Sequence, residues 1–165
     1  FSCPNFFTAP EPLIQKTFAR IMSLKDGKKK MSKSDPSDLS RVNLNDSKDV
    51  IINKIKKAKT DDKSMPQDNK NLHQRPEVEN LLGIYSSLAD QKLEKTINEF
   101  SGKNFSEFKT KLSEMVVEKI SPISTEINKL QEDKEFIDKI LRDGSEKANE
   151  IASKKIGELK KIVGF

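Results

Sequence analysis

The sequence predicts a mainly α chain, a helical bundle running from about residue 46 to the C-terminus behind a leading stretch that reads as the tail of something else. Three observations carry that expectation. After Asp46, apolar residues recur at spacings of three and four, the periodicity of helices with one buried face. Most of the prolines, Pro4, Pro10, Pro12 and Pro36, fall before it together with Gly27, where no helical period is sustained. Finally, 165 residues with 33% hydrophobic and 35% charged side chains leave room for one modest core, or for the end of one domain and most of another. The chain starts at Phe1 instead of Met, as expected of a processed product or a fragment.

Taken in order, residues 18–24 suit a short helix or strand feeding a polar run, and Arg41-Val42-Asn43-Leu44 alternates like a short strand. Asp46 or Ser47 then caps a helix reaching about Lys59, with Val50, Ile51, Ile55 and Ala58 on one face and Lys54, Lys56, Lys57 and Lys59 spread over the rest. Residues 60–74 are an acidic, amide-rich loop. Pro76 occupies a first helical position, followed by Val78, Leu81, Leu82, Tyr85 and Leu88. Further stripes pass through Leu93, Ile97 and Phe100, then from Phe105 and Phe108 to Ile120, with Pro122 starting or kinking the continuation through Ile123, Ile127 and Leu130. A helix through Phe136, Ile137, Ile140 and Leu141 is expected to stop at Gly144. Ser145 would cap a last helix with Ala148, Ile151, Ala152, Ile156, Leu159, Ile162 and Val163 as its buried stripe. Tyr85, Phe100, Phe105 and Phe108 all fall on these stripes and read as core.

Composition narrows the chemistry. No stretch approaches the roughly 20 consecutive apolar residues a membrane helix needs, and the start of the chain lacks the pattern of a secretory signal. The single cysteine, Cys3, excludes an internal disulfide framework, and with His73 as the single histidine the usual transition-metal ligand sets are missing; no metal site is expected. The net charge of +5 favours a polyanionic partner, although a solvated lysine-rich helix face accounts for it equally well. Arginines are few, Arg20, Arg41, Arg75 and Arg142, so bidentate phosphate recognition is not widespread.

The informative stretch is Lys28-Lys29-Lys30-Met31-Ser32-Lys33-Ser34-Asp35. Lysines and serines in a loop preceded by glycine supply ammonium charge and hydroxyl donors, the groups that hold a triphosphate while charge grows on its leaving oxygens. Lys30-Met31-Ser32-Lys33-Ser34 resembles the second signature of the class I aminoacyl-tRNA synthetases. The likeness extends through Ala19-Arg20-Ile21-Met22-Ser23-Leu24, Asp46-Ser47, Lys56-Lys57-Ala58-Lys59-Thr60-Asp61 and Asn80-Leu81-Leu82-Gly83-Ile84-Tyr85. It returns in Gly144-Ser145-Glu146-Lys147-Ala148 and Val163-Gly164-Phe165. Together these resemble the C-terminal half of the bacterial-type tryptophanyl-tRNA synthetases over essentially the whole chain. Lys33, replaced by Ala in the eukaryotic cytosolic form, points to the bacterial or organellar branch.

The resemblance implies that residues 1–45 are the C-terminal end of an α/β nucleotide-binding, Rossmann-like catalytic domain and residues 46–165 a helical anticodon-binding domain. ATP, accompanied by Mg2+, would pack on Ile21 and be enclosed by Lys30, Met31, Ser32, Lys33 and Ser34. Lys30 and Lys33 would act catalytically on the departing pyrophosphate, and Ser32 and Ser34 would donate hydrogen bonds. The implied partners are tRNA(Trp), ATP and tryptophan, with no membrane; a homodimer would form through the missing upstream half, in the bacterial cytoplasm or an organellar matrix. The first class I signature has no counterpart, since His73 precedes Gln74 and Arg75 in a polar segment and reads as a loop histidine. Two other readings stay open: a non-catalytic helical RNA-binding module, favoured by an initiator codon just before Phe1, and a helical protein-interaction domain, which predicts no salt-dependent tRNA binding.

Overall fold

A computed structural model describes residues 6–14 and 18–165. The architecture is mainly α, with five helices among the described residues: α1 (Lys48–Lys56), α2 (Pro76–Leu88), α3 (Leu93–Phe100), α4 (Phe105–Glu132) and α5 (Lys134–Val163). The only β pairing among the described residues is an isolated antiparallel bridge between Met22 and Lys30. The chain divides into two compact units, one made of residues 14–126 and the other of residues 1–13 with 127–165.

The larger unit owns the core. Ser47 caps α1 by accepting a hydrogen bond from the Val50 N–H, so the second of the two expected caps is the one used. At the other end Lys109 reaches from α4 to donate to the carbonyls of Ala58 (2.6 Å) and Lys56 (3.3 Å), a cationic cap on the negative end of the helix. Ile51, Ile55, Val78, Leu81, Leu82, Ile97 and Leu112 pack together, and Tyr85, Phe100 and Phe108 form an edge-on aromatic cluster with centroids 4.9 to 6.1 Å apart. Those three rings are buried and Phe105, partly buried, packs against the core, as expected of core residues. The Tyr85 hydroxyl donates to Glu99 Oε1 at 2.9 Å, and burial followed by the Glu99 carboxylate pushes the phenol up to about 12.

Four expectations need correction. Arg41 to Leu44 is not a strand: a 3-10 turn at Asp38–Ser40 precedes it, and the Arg41 and Asn43 side chains bond locally, which holds the segment in a turn. Of the two readings of Pro122, the start of a helix is excluded, since it lies inside α4. Gly144 does not end a helix either. α5 runs through it to Val163 and stops at Gly164, whose φ of 88° is the left-handed conformation that glycine tolerates best. Lastly, the apolar stripe expected to be buried along the last helix lies open, with no buried residue anywhere in α5. Periodicity identifies an apolar face; it does not say what lies against it.

The smaller unit contains α5 and the last residues of α4. Asp133 separates the two helices, its side chain accepting the Phe136 N–H at 3.0 Å, and the Phe6 ring lies 3.9 Å from Lys155 Nζ.

Nothing lies within 4 Å of a Cβ built at Gly144. Gly144→Ala is therefore expected to stabilise α5 by about 0.5 to 1 kcal/mol, where a glycine terminating a helix would give a loss; helicity measured by circular dichroism during thermal melting distinguishes the two. A second expectation concerns pH. The Arg75 guanidinium grips Asp61 at 2.6 and 2.7 Å and, against opposing burial, holds its carboxyl below the ordinary 3.8. The depressed value makes the pair stabilising above pH 3.8 and progressively ineffective as the pH falls below it. Asp61→Asn should thus be less stable than the parent at pH 7 and converge with it in acid, as read by urea unfolding at several pH values.

Candidate phosphate-binding loop

The site begins with a short antiparallel hairpin. The Ser23 N–H donates to the Lys29 carbonyl at 2.8 Å and the Met31 N–H to the Ile21 carbonyl at 3.0 Å, on either side of the Met22–Lys30 bridge. Asp26 closes the turn by accepting the Lys28 N–H on its carboxylate at 3.0 Å. Gly27 sits at the tip, against the start of α2. A Cβ there would lie 2.6 Å from the Pro76 carbonyl oxygen and closer still to Glu77 N, so the absence of a side chain is what allows the approach.

Residues of α2 fix this hairpin. Asn80, buried on α2 between Val78 and Leu81, clamps Met22 from both sides: its Oδ1 accepts the Met22 N–H at 2.8 Å and its Nδ2 donates to the Met22 carbonyl at 2.8 Å. Glu77, one helical turn earlier, accepts Lys59 Nζ at 2.9 Å. Burial opposes ionisation of Glu77, but Lys59 together with backbone N–H groups, that of Gly27 among them, outweighs it and holds the carboxyl below its usual range.

From this base the loop turns outward. Ser32 Oγ accepts the Ser34 N–H at 3.2 Å and the Ser32 carbonyl accepts the Asp35 N–H at 3.3 Å, giving a tight turn that leaves the Ser32 O–H free to donate. Beyond it, Asp35 Oδ1 accepts the Ser37 N–H at 2.8 Å, and Arg41 Nη1 donates to the Asp35 carbonyl at 2.9 Å. Arg41 also contacts Asp38 at 3.1 Å. A hydrogen bond from Lys54, then one from Asn43, keeps the Asp38 carboxyl below its ordinary range.

Ile21, Lys30 and Met31 are thus brought together at the hairpin base, with Ile21 44% exposed, and Ser32, Lys33 and Ser34 stand in the solvent-facing turn. Of the acidic side chains nearest in sequence, Asp26 accepts the Lys28 N–H and pairs loosely with Lys29 Nζ at 3.8 Å, and Asp35 accepts the Ser37 N–H. No cluster of three His, Cys, Asp or Glu able to hold a metal occurs among the described residues. His73 lies in a 3-10 turn (Leu72–Gln74).

Sequence reasoning missed the residues that hold the loop. Asn80 had a legible signal, a polar side chain in an otherwise apolar helical stripe. Lys54 had the same signal between Ile51 and Ile55. It is not part of a solvated lysine face but is 1% exposed and paired with Asp46 at 2.6 Å and Asp38 at 2.7 Å.

An open basic loop with hydroxyl donors, fixed at both flanks by helices, is a candidate phosphate-binding segment joined to a helical region. Residues 2–154 match the family model described as tRNA synthetases class I (W and Y). The chain is 48% identical over 161 residues to a tryptophan–tRNA ligase from Mesorhizobium japonicum (98% of this chain, 45% of the relative). It is 50% identical over 160 residues to one from Rhizobium meliloti (97% and 45%). A crystal structure of tryptophanyl-tRNA synthetase from Mycoplasma pneumoniae shares the fold with a TM-score of 0.73 at 26% identity, over 92% of this chain and 45% of that one. The chain belongs to the class I tRNA synthetase family for tryptophan and tyrosine, and it spans about half the length of the curated relatives it matches.

Asn80→Ala would strip both partners from the Met22 peptide groups in a poorly hydrated site. A loss of about 2 to 4 kcal/mol is expected in urea unfolding, with faster amide exchange at residues 22–31. Asn80→Asp should fare no better, because it places a carboxylate against the Met22 carbonyl.

Proposed function

We propose that this chain is the C-terminal part of a ligase that attaches tryptophan to tRNA(Trp) through a tryptophanyl-adenylate, and that Lys30, Met31, Ser32, Lys33 and Ser34 close over the phosphates of ATP beside Ile21. The observation that supports this most directly is the loop itself: two exposed lysines and two serines in a turn held only at its ends, within a chain about half identical to tryptophan–tRNA ligases.

In the proposed reaction a carboxylate oxygen of tryptophan attacks the α-phosphorus of ATP. The new O–P bond forms as the bond to the bridging oxygen breaks, and pyrophosphate departs with the electron pair. No proton needs to move, so what the protein supplies is alignment and charge stabilisation. The ammonium groups of Lys30 and Lys33 meet the charge growing on the leaving oxygens, and the Ser32 and Ser34 hydroxyls donate to phosphate oxygens. Mg2+ enters with the nucleotide, bound to its phosphates.

Residues 1–45 are read as the end of a Rossmann-like catalytic domain and residues 46–165 as the helical domain that takes the anticodon arm of the tRNA. The lysines of the helical part suit sequence-independent contacts to RNA phosphates. Lys54 is excluded from that role by its two carboxylate partners, leaving Lys48 and Lys56, with Lys57 at the C-cap, as the exposed lysines of its helix. A homodimer in the bacterial cytoplasm is the proposed setting, with an organellar matrix as the alternative. The bacterial relatives support the bacterial part of that setting, and no described helix is long and apolar enough to cross a membrane.

The decisive assay is tryptophan-dependent exchange of labelled pyrophosphate into ATP. The complete ligase carrying this chain should catalyse it, and residues 1–165 by themselves should not, because the loop then has no opposing group to align the nucleotide. Lys33→Ala in the complete ligase should slow activation by the equivalent of about 2 to 4 kcal/mol with little change in KM for tryptophan, since the lysine acts where charge develops. Exchange by the isolated chain, or an inactive but folded complete ligase, would refute the proposal.

A further inference from the structure

We infer that Lys54 is a positioning residue for the loop, acting through Asp38 and Arg41 on the Asp35 carbonyl that ends the turn. The inference rests on the reading above only for its consequence in catalysis; the mechanical part stands on the contacts alone.

Lys54 is a lysine where an aliphatic residue is expected, between Ile51 and Ile55 and among the most completely buried side chains of the protein. A buried ammonium needs a carboxylate, and Asp46, nearly as buried, provides one at 2.6 Å. Asp46 is itself satisfied by the Asn43 N–H at 2.8 Å and Asn43 Nδ2 at 3.2 Å. That pair alone would neutralise the site, yet Lys54 also draws in Asp38 at 2.7 Å, a carboxylate that is 57% exposed and has no need of rescue from burial.

Asp38 holds Lys54 with Oδ2, while its Oδ1 meets Arg41 Nη2 at 3.1 Å and Asn43 Nδ2 at 3.0 Å. Arg41 Nη1 then donates to the Asp35 carbonyl at 2.9 Å, one residue beyond Ser34. A continuous line of polar contacts therefore runs from the core of α1 to the C-terminal end of the loop. A pair serving stability alone would leave out Asp38, since buried ion pairs are weak devices for stability. What the third partner adds is a fixed distance between helix and loop, and reacting groups are sensitive to displacements of about an ångström.

Asp38→Asn separates these roles because it leaves the Lys54–Asp46 pair intact. An amide can accept from Lys54 or from Arg41, but its N–H2 group then faces the other cation. The melting temperature should stay close to the parent's, while hydrogen exchange of the amides at residues 31–35, measured on this chain, should quicken by about fivefold or more. In the complete ligase, kcat for pyrophosphate exchange should fall about tenfold with KM for tryptophan unchanged. The double variant K54M/D46N, which leaves no unpaired buried charge, should reproduce the loop phenotype. Unchanged exchange at residues 31–35 in Asp38→Asn overturns the inference whatever the loop does chemically. Faster exchange with unaltered kcat overturns the catalytic role and leaves Lys54 a structural strut. A parent ligase without activity would refute the proposed function, and the exchange measurement would still decide the mechanical part.

Discussion

In the proposed reading the Lys30 and Lys33 ammonium groups meet a phosphate, which is favoured where no carboxylate on the protein holds them, and the supports around the loop suit that requirement. A loop that carries Lys30 and Lys33 bare cannot be fixed by ion pairs of its own, so it has to be fixed by its ends. The hairpin from Met22 to Lys30 and the turns around Asp35 and Arg41 are those ends. Between them the only bonds within the turn are those that accept the Ser34 and Asp35 N–H groups at Ser32, which shape the backbone without using up any cationic group.

The scaffold supplies this through two polar residues placed where apolar ones would pack. Asn80 faces the core side of α2 and Lys54 that of α1, and each gives up hydration to reach a backbone or carboxylate partner of the loop's flanks. The cost is contained because the substitutions are complete: among the described residues no buried side-chain nitrogen or oxygen lacks a hydrogen-bond partner. Around them Ile51, Ile55, Leu81, Leu82 and the aromatic cluster provide the apolar contact that keeps α1 and α2 in place. Gly27 completes the arrangement by letting the hairpin tip touch the backbone at Pro76.

Much of this was legible in the residues. The starts of α1 and α2 follow from Ser47 and Pro76, whose effects are local, and the lysine–serine loop stands out by residue type and order alone. Legibility ended where a long-range partner decides the outcome. Lys54 interrupts an apolar stripe, but its role is visible only once Asp38 and Asp46 are brought against it, and Gly144 reads as a terminator because nothing in the sequence says whether its φ is left-handed. The stripe on α5 failed for the same reason, since a period of 3.6 is intrinsic to one helix whereas burial belongs to a pair of surfaces.

The two anchors also differ in kind. At the hairpin, a neutral amide meets a peptide group in a buried setting, so neither salt nor ordinary pH reaches the bonds that hold Met22. At the far end the restraint is made of charges, and Asp38 stands partly in water, where dissolved ions compete with Lys54 and Arg41 for it. A loop held this way has one end that keeps its place and one whose hold weakens with ionic strength. Displacement then grows from Met31 toward Asp35, and Lys33, in the outer half of the turn, is carried further from its set position than Lys30, which is paired through the backbone bridge to Met22.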